Sequence, residues 1–378
     1  MSEYIYRLLT PKVLEAYNYF PVITITGPRQ SGKTSLCKEI FPDFKYVNLE
    51  DIVIRAEAMK NPTGLLDSLG KKAIIDEVQH APDLMSMIQV RVDEDPKRKY
   101  ILTGSSNFTL LRTISQSLAG RTAIFTLLPF SLIEINHEIE DKSINEIILE
   151  GLYPKVIAHH IPFDYYYRGY YNTYVERDLR DLINVKNILA FDTFIRLLTS
   201  RIGSELNFSS IAREAGVSSV TIKEWISLLM TSYIIFPLQP YYRNISKQLV
   251  KMPKIYFYDT GLACFLLGID SVEKLATHHL RGALFENLAI CELIKKAYNA
   301  GKDPRIFFYR EKSGIEVDAV VEAGDCLHLY EIKSGETVYP EVYENMNELS
   351  KRSSINTTKT IIFNGQTFGD TLVNIRDI

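Results

Sequence analysis

Nine consecutive residues, Gly27-Pro28-Arg29-Gln30-Ser31-Gly32-Lys33-Thr34-Ser35, constrain this chain more than any other stretch. They have the form G-x-x-x-x-G-K-[ST]. The apolar run Val22-Ile23-Thr24-Ile25-Thr26 before them reads as a buried strand, and Leu36-Cys37-Lys38-Glu39-Ile40 after them starts a helix. Gly27 and Gly32 can take backbone angles that a Cβ forbids, so successive N–H groups turn inward and, with the helix N-terminus, form an anion cradle. Lys33 then offers a point charge to the β- and γ-phosphates of a triphosphate, and the Thr34 hydroxyl a ligand to Mg²⁺. Strand, loop and helix in this order imply an α/β fold.

The second half of such a site is expected at the end of another buried strand. Lys72-Ala73-Ile74-Ile75-Asp76-Glu77 supplies it. Asp76 is placed to hold Mg²⁺, usually through water, and Glu77 to polarise the attacking water. A further strand, Tyr100-Ile101-Leu102-Thr103, ends in Gly104-Ser105-Ser106-Asn107, putting Ser105 at the carboxyl edge of the sheet, where the γ-phosphate is sensed. Arg112 and Arg121 are candidates for a finger that stabilises transferring phosphate, within the subunit or across to a neighbouring copy. The chain has no N-K-x-D or T-K-x-D base-reading motif, which favours adenine over guanine. A water-activating Glu77 favours hydrolysis over small-molecule phosphotransfer.

With 378 residues the chain exceeds one ordinary core, and two or three domains are expected. Its formal net charge of −3 gives no global attraction to nucleic acid, so any such binding needs a local patch. Cys37, Cys264, Cys291 and Cys326 are scattered without a C-x-x-C pair, which argues against structural zinc and for a reducing compartment. The first residues lack a signal-peptide core, and the longest apolar stretches are broken by proline. A cytoplasmic protein without membrane spans is the expectation. The 23 tyrosines lie mostly in amphipathic segments, where packing explains them better than base stacking.

From Tyr165 to about Asn187 the pattern predicts a connecting helix. Ser209 to Tyr258 then has the form of a winged helix: a short helix through Ala215, a turn at Gly216, a Ser218 N-cap, a second helix from Val220 to Met230, and wing strands. Ser219, Thr221 and Lys223 are free to face a groove of DNA. Arg243, Lys247, Lys251 and Lys254 punctuate the wing and would neutralise roughly four phosphates. A packing or oligomerisation role for the same segment is the competing reading.

The last third holds a second constellation. A helix opens at Arg281 and carries Glu286; strands follow at Ile306–Arg310, Gly314–Val321 and Leu327–Ser334. Side chains alternate along a strand, so Glu331 and Lys333 share a face. Asp318, followed by Glu331-Ile332-Lys333, is the order of metal-dependent phosphodiesterases. Asp318, Glu331 and Glu286 are the expected Mg²⁺ ligands, with Lys333 activating water. Carboxylates about 5 Å apart repel by roughly 3 kcal/mol at an effective dielectric of about 20, so the cluster needs a cation.

Across its length the chain resembles the bacterial and archaeal proteins that join an AAA-type P-loop domain to a C-terminal DUF4143 domain. The resemblance is carried by the phosphate loop, Asp76-Glu77-Val78-Gln79, Leu102-Thr103-Gly104-Ser105-Ser106, Leu118-Ala119-Gly120-Arg121, Tyr174-Val175-Glu176-Arg177-Asp178, Tyr256-Phe257-Tyr258-Asp259-Thr260-Gly261-Leu262, Gly282-Ala283-Leu284-Phe285-Glu286-Asn287, Glu316-Val317-Asp318 and Glu331-Ile332-Lys333. It implies an ASCE-type ATPase core, a winged-helix segment and a restriction-endonuclease-like C-terminal fold, with expected bounds of 1–164, 165–268 and 269–378. The partners expected are ATP, DNA and, for a shared site, a second copy of the chain. Two functions follow as expectations: an ATP hydrolase coupled to DNA binding or processing, or a nucleotide switch whose C-terminal domain cuts nothing.

Overall fold

The computed structural model describes residues 4–105, 117–178, 187–241 and 252–378. Five strands form an all-parallel sheet: β1 (Val22–Thr26), β2 (Lys45–Asn48), β3 (Lys72–Asp76), β4 (Lys99–Gly104) and β5 (Thr122–Thr126), in the order β2-β3-β4-β1-β5. Strand β1 is buried along its whole length, as a central parallel strand covered on both faces must be. One face packs on Leu9, Val13, Leu36, Cys37 and Phe41, the other on Leu65, Leu66, Leu84, Met85 and Ile88. Parallel pairing aligns the strands' carboxyl ends, so the loop after β1 and the acids after β3 meet at one edge, with β4 standing between those two strands.

The middle of the chain is largely helical. Ser143 and Glu146 form a reciprocal capping box at the start of helix Ile144–Glu150. Helix Phe163–Tyr170 runs into a π-helical stretch, Tyr171–Asp178. The expected tyrosine packing is present: Tyr153, Tyr166, Tyr167, Tyr170 and Tyr174 are all buried and their rings meet in tilted and edge-on contacts, with Tyr170 and Tyr174 ring centres 5.3 Å apart. Helices Phe208–Ala215 and Ser219–Thr231 follow, joined at Gly216, whose φ of 67° is left-handed, and by a Ser218 cap on Thr221 N–H.

The second sheet has seven strands: β6 (Ile235–Pro240), β7 (Lys254–Phe257), β8 (Ile306–Arg310), β9 (Glu316–Ala323), β10 (Cys326–Lys333), β11 (Asn356–Phe363) and β12 (Leu372–Asn374), in the order β12-β11-β10-β9-β8-β6-β7. Here the expected domain division meets a seam. Strand β6 belongs to the middle segment, yet it pairs with β8 through Gln239–Phe307 and Pro240–Phe308. A boundary at 268 therefore cuts a continuous sheet. A single core runs across the same line, joining Phe191 and Trp225 to Leu284, Phe285, Ile332 and Ile375.

Candidate functional site

The loop wraps as its glycines require. Gly27 has a φ of 144°, and a Cβ on it would lie 2.1 Å from the Leu127 carbonyl oxygen, so no larger residue fits there. Gly32, at φ 94°, caps helix Lys33–Ile40. Gln30 also takes a left-handed turn, at φ 63°. Lys33 is buried and donates to the carbonyls of Gly27 at 3.0 Å and Pro28 at 2.7 Å, folding back over the cradle. Burial pulls its ammonium below the ordinary lysine range, against the opposing charges of Glu77 and Asp76. Ser31 Oγ is buried without a hydrogen-bond partner.

Asp76, at the end of β3, is 4% exposed and receives three hydroxyls: Thr34 Oγ1 at 2.6 Å, Tyr46 OH at 2.9 Å, and Thr103. Glu77 turns sharply, with φ 53°, out of the strand. Its Oε2 accepts from Ser105 Oγ at 2.9 Å, from Ser105 N–H at 3.2 Å and from the Gln79 amide. Sequence reasoning thus brought Lys33, Thr34, Asp76, Glu77 and Ser105 to one place, and the structure does the same. It missed Tyr46, whose position on β2 gave no motif. It also missed Arg7, which is buried and donates to Ser31 O at 2.9 Å and Leu128 O at 2.7 Å while pairing with Glu134. A cavity of about 240 Å³ lies against Gly32 and Ser35, with Tyr4, Arg7, Phe130 and His159 among its walls.

Arg29 and Arg121 depart from the expected ligand set. Arg29 leaves the cradle, stacking over Tyr174 at 5.1 Å and approaching Glu50 at 3.6 Å. Arg121 precedes β5, whose first residue is level with Val22, so it lies at the sheet edge opposite the phosphate loop. There it pairs with Asp93 at 2.6 and 2.8 Å. The structure does not bring Arg121 to the loop of its own chain. Arg112 lies outside the described residues.

The residues expected to face DNA divide. Lys223 is exposed and lies 5.7 Å from the Phe208 ring, while Thr221 Oγ1 is engaged by Ser218 Oγ at 2.9 Å and Ser219 is half-buried. Arg243, Lys247 and Lys251 lie outside the described residues. Lys254 is not a wing cation: it is 3% exposed, with Nζ 2.8 Å from Glu316 and 3.3 Å from Glu286.

That lysine alters the C-terminal centre. Glu286 accepts from Lys254 and from the Tyr256 hydroxyl; Asp318 Oδ2 accepts from Ile332 N–H at 2.8 Å; Glu331 Oε1 accepts from Lys333 Nζ at 2.8 Å. Burial, then Glu286 and Glu331, hold the Asp318 carboxyl well above its usual range. Among the described residues no three Asp, Glu, His or Cys side chains gather as a metal group. The expected Mg²⁺ set of Glu286, Asp318 and Glu331 does not fit a metal in this arrangement, because Glu286 Oε1, Asp318 Oδ2 and Glu331 Oε1 each accept from a separate protein donor and Lys254 stands beside Glu286. By contrast Thr34 and Asp76 present adjoining oxygens of the kind Mg²⁺ takes.

The parallel sheet with its phosphate loop and Asp76–Glu77 strand end defines a P-loop nucleotide-binding protein. Family comparison narrows the class. The model described as an AAA domain matches residues 19–136, a domain of unknown function (DUF8612) matches 141–273, and a second domain of unknown function (DUF4143) matches 281–376. In order, this chain thus carries a segment that matches the AAA domain and one that matches DUF4143, the combination expected of an AAA-type P-loop protein with a C-terminal DUF4143 domain. It is similar to the uncharacterized protein Rv2008c of Mycobacterium tuberculosis, 28% identical over 339 residues that make up 89% of this chain and 75% of that one. It is also similar to the uncharacterized protein MJ1544 of Methanocaldococcus jannaschii, 24% identical over 334 residues, covering 79% of this chain and 71% of that one. Among solved structures, the Walker-type ATPase paby2304 of Pyrococcus abyssi shares 15% identity at a TM-score of 0.45, covering 68% of this chain and 94% of that one. No helix among the described residues is long and apolar enough to cross a membrane.

Proposed function

We propose that this protein hydrolyses ATP and uses its nucleotide state to govern the C-terminal domain. The observation that carries the reading is the convergence of Lys33, Thr34, Asp76 and Glu77 at the carboxyl edge of β1 and β3. In the nucleotide-bound chain the N–H groups of Arg29 to Thr34 cradle the phosphates, and Lys33 exchanges its two carbonyl partners for β- and γ-phosphate oxygens. Mg²⁺, held by Thr34 and through Asp76, would neutralise charge on the same oxygens. Glu77 leaves Ser105 to accept a proton from the attacking water, and Ser105 is then free to meet the γ-phosphate. The nucleoside occupies the cavity beside Gly32 and Ser35.

Two contacts support transmission to the rest of the chain. Arg29, inside the phosphate loop, stacks on Tyr174. Thr26, the residue before Gly27, hydrogen-bonds Tyr233 OH at 3.0 Å. Both tyrosines lie in the segment that shares its core with the C-terminal domain. What that domain does with the signal divides two ways. The paired helices and the β6–β7 hairpin support a winged helix that holds DNA, with the last domain as a nuclease-like module. Lys254 among the carboxylates favours a non-cleaving switch module. Incubating branched and linear DNA with Mg²⁺ and ATP, parent against Lys333→Ala, decides between them: products made by the parent alone establish cleavage, and their absence leaves the switch. For the ATPase reading itself, phosphate release from ATP that is lost in Lys33→Ala is the expected result, and equal release by both proteins overturns it.

A further inference from the structure

Four carboxylates surround one patch of the C-terminal domain: Glu286 on helix Arg281–Asn299, Glu316 and Asp318 on β9, and Glu331 on β10. Alternation puts Glu316 and Asp318 on the same face of their strand. Every one of these acids lies within the segment 281–376. The cation among them does not. Lys254 comes from β7, across the seam, and spans Glu316 at 2.8 Å and Glu286 at 3.3 Å, with Tyr256, two residues on and on the same face of β7, donating to Glu286.

Lys254 is fixed there. Asn287 clamps the backbone of the neighbouring Phe257, accepting its N–H at 2.7 Å and donating to its carbonyl at 2.8 Å. Ile255 is held by Ser204 O at 3.1 Å and Gly203 N–H at 2.9 Å. Burial alone would push the Lys254 ammonium toward neutrality, but Glu286, Glu316 and Asp318 outweigh it and keep the charge. One feature is left unsatisfied: Glu331 is 7% exposed, and its Oε2 is buried without a partner. An orphan carboxylate oxygen beside Asp318, with a tethered ammonium among the other acids, is the donor chemistry of a divalent-cation centre in which part of the cation's role has been taken by a side chain.

We propose that Lys254 is the resident cation of the C-terminal carboxylate centre: the folded chain loads no divalent metal there, and the centre accepts one when the lysine is removed. The reading rests on the geometry of this centre and is independent of nucleotide hydrolysis.

The test is a Mn²⁺ titration without nucleotide, following free Mn²⁺ by electron paramagnetic resonance, on the parent, Lys254→Met, Asp318→Asn, and Lys254→Met with Asp318→Asn. Background binding at the phosphate loop is common to all four. The expected result is no Asp318-dependent binding in the parent, and in Lys254→Met an apparent Mn²⁺ affinity at least tenfold above the parent's background, a gain lost when Asp318→Asn is added. Asp318-dependent binding by the parent overturns the proposal, as does a Lys254→Met protein that gains no site. If circular dichroism shows Lys254→Met to be unfolded, Lys254→Met with Glu316→Gln removes both ends of the shorter ion pair and leaves Glu286, Asp318 and Glu331. The same gain is expected of it, and its absence counts equally against the proposal.

Discussion

Glu77→Gln separates nucleotide binding from hydrolysis. Glu77 Oε2 accepts three hydrogen bonds, from Ser105 Oγ at 2.9 Å, Ser105 N–H at 3.2 Å and Gln79. A glutamine can turn its carbonyl oxygen into the same place and keep all three, so the φ 53° turn and the β3–β4 edge are undisturbed. What the amide cannot do is take a proton. Loss of a positioned general base costs about 10²–10⁴ in rate, or roughly 3–5 kcal/mol in the barrier. Affinity for ATP should stay within about threefold, because the phosphate contacts come from the loop. Single-turnover phosphate release measures the first quantity, and titration with a fluorescent ATP analogue the second. Hydrolysis at the parent rate would refute the role given to Glu77. A rate loss matched by an equal loss of affinity would show instead that Glu77 shapes the pocket.

Three further outcomes follow from the geometry. Gly27→Ala must displace either its own backbone or the Leu127 carbonyl, 2.1 Å from the added carbon, so nucleotide binding should vanish with a stability loss of about 1–3 kcal/mol in a denaturant titration. The Arg29–Tyr174 stack, 5.1 Å and partly exposed, should appear as a coupling of about 0.5–1 kcal/mol in a double-mutant cycle of Arg29→Ala and Tyr174→Leu read as ATP affinity; strict additivity would remove this contact from the route between domains. Burial of Lys254 leaves Arg243, Lys247 and Lys251, all outside the described residues, as the cations of the proposed wing, so DNA binding through them should weaken about fortyfold between 50 and 200 mM salt, the slope for roughly three phosphates. A flat salt response excludes a phosphate-dominated interface.

The phosphate site was legible because its chemistry demands particular residues at consecutive positions, and because parallel strands carry their functional residues at the carboxyl end. The second rule also takes Arg121 away from the phosphate loop of its own chain. It stands immediately before Thr122, at a strand's amino end, and the sequence already held that fact. Lys254 was illegible for a different reason. In a basic, hairpin-like segment a lysine reads as solvent-facing, and only the pairing of β7 with β6, and of β6 with β8, carries it to acids 32 and 62 positions further along the chain. Tyr46 and Arg7 share that limit, since Tyr46 serves Asp76 and Arg7 serves the loop through contacts that no local spacing encodes. The Glu331–Lys333 pair was readable because alternation along one strand is a local rule.

The sheet that crosses from the middle segment to the last one bears on how this protein can be dissected. A fragment beginning at residue 281, where the last family match starts, would lack β6 and leave the edge of β8 bare, with the wholly buried Phe308 beside it. An unpaired apolar edge recruits other chains, so such a fragment is expected to self-associate, and an activity missing from it would say little about the intact protein. Exchange of modules between relatives should keep β6 to β8 together, moving the cut to the amino side of Ile235.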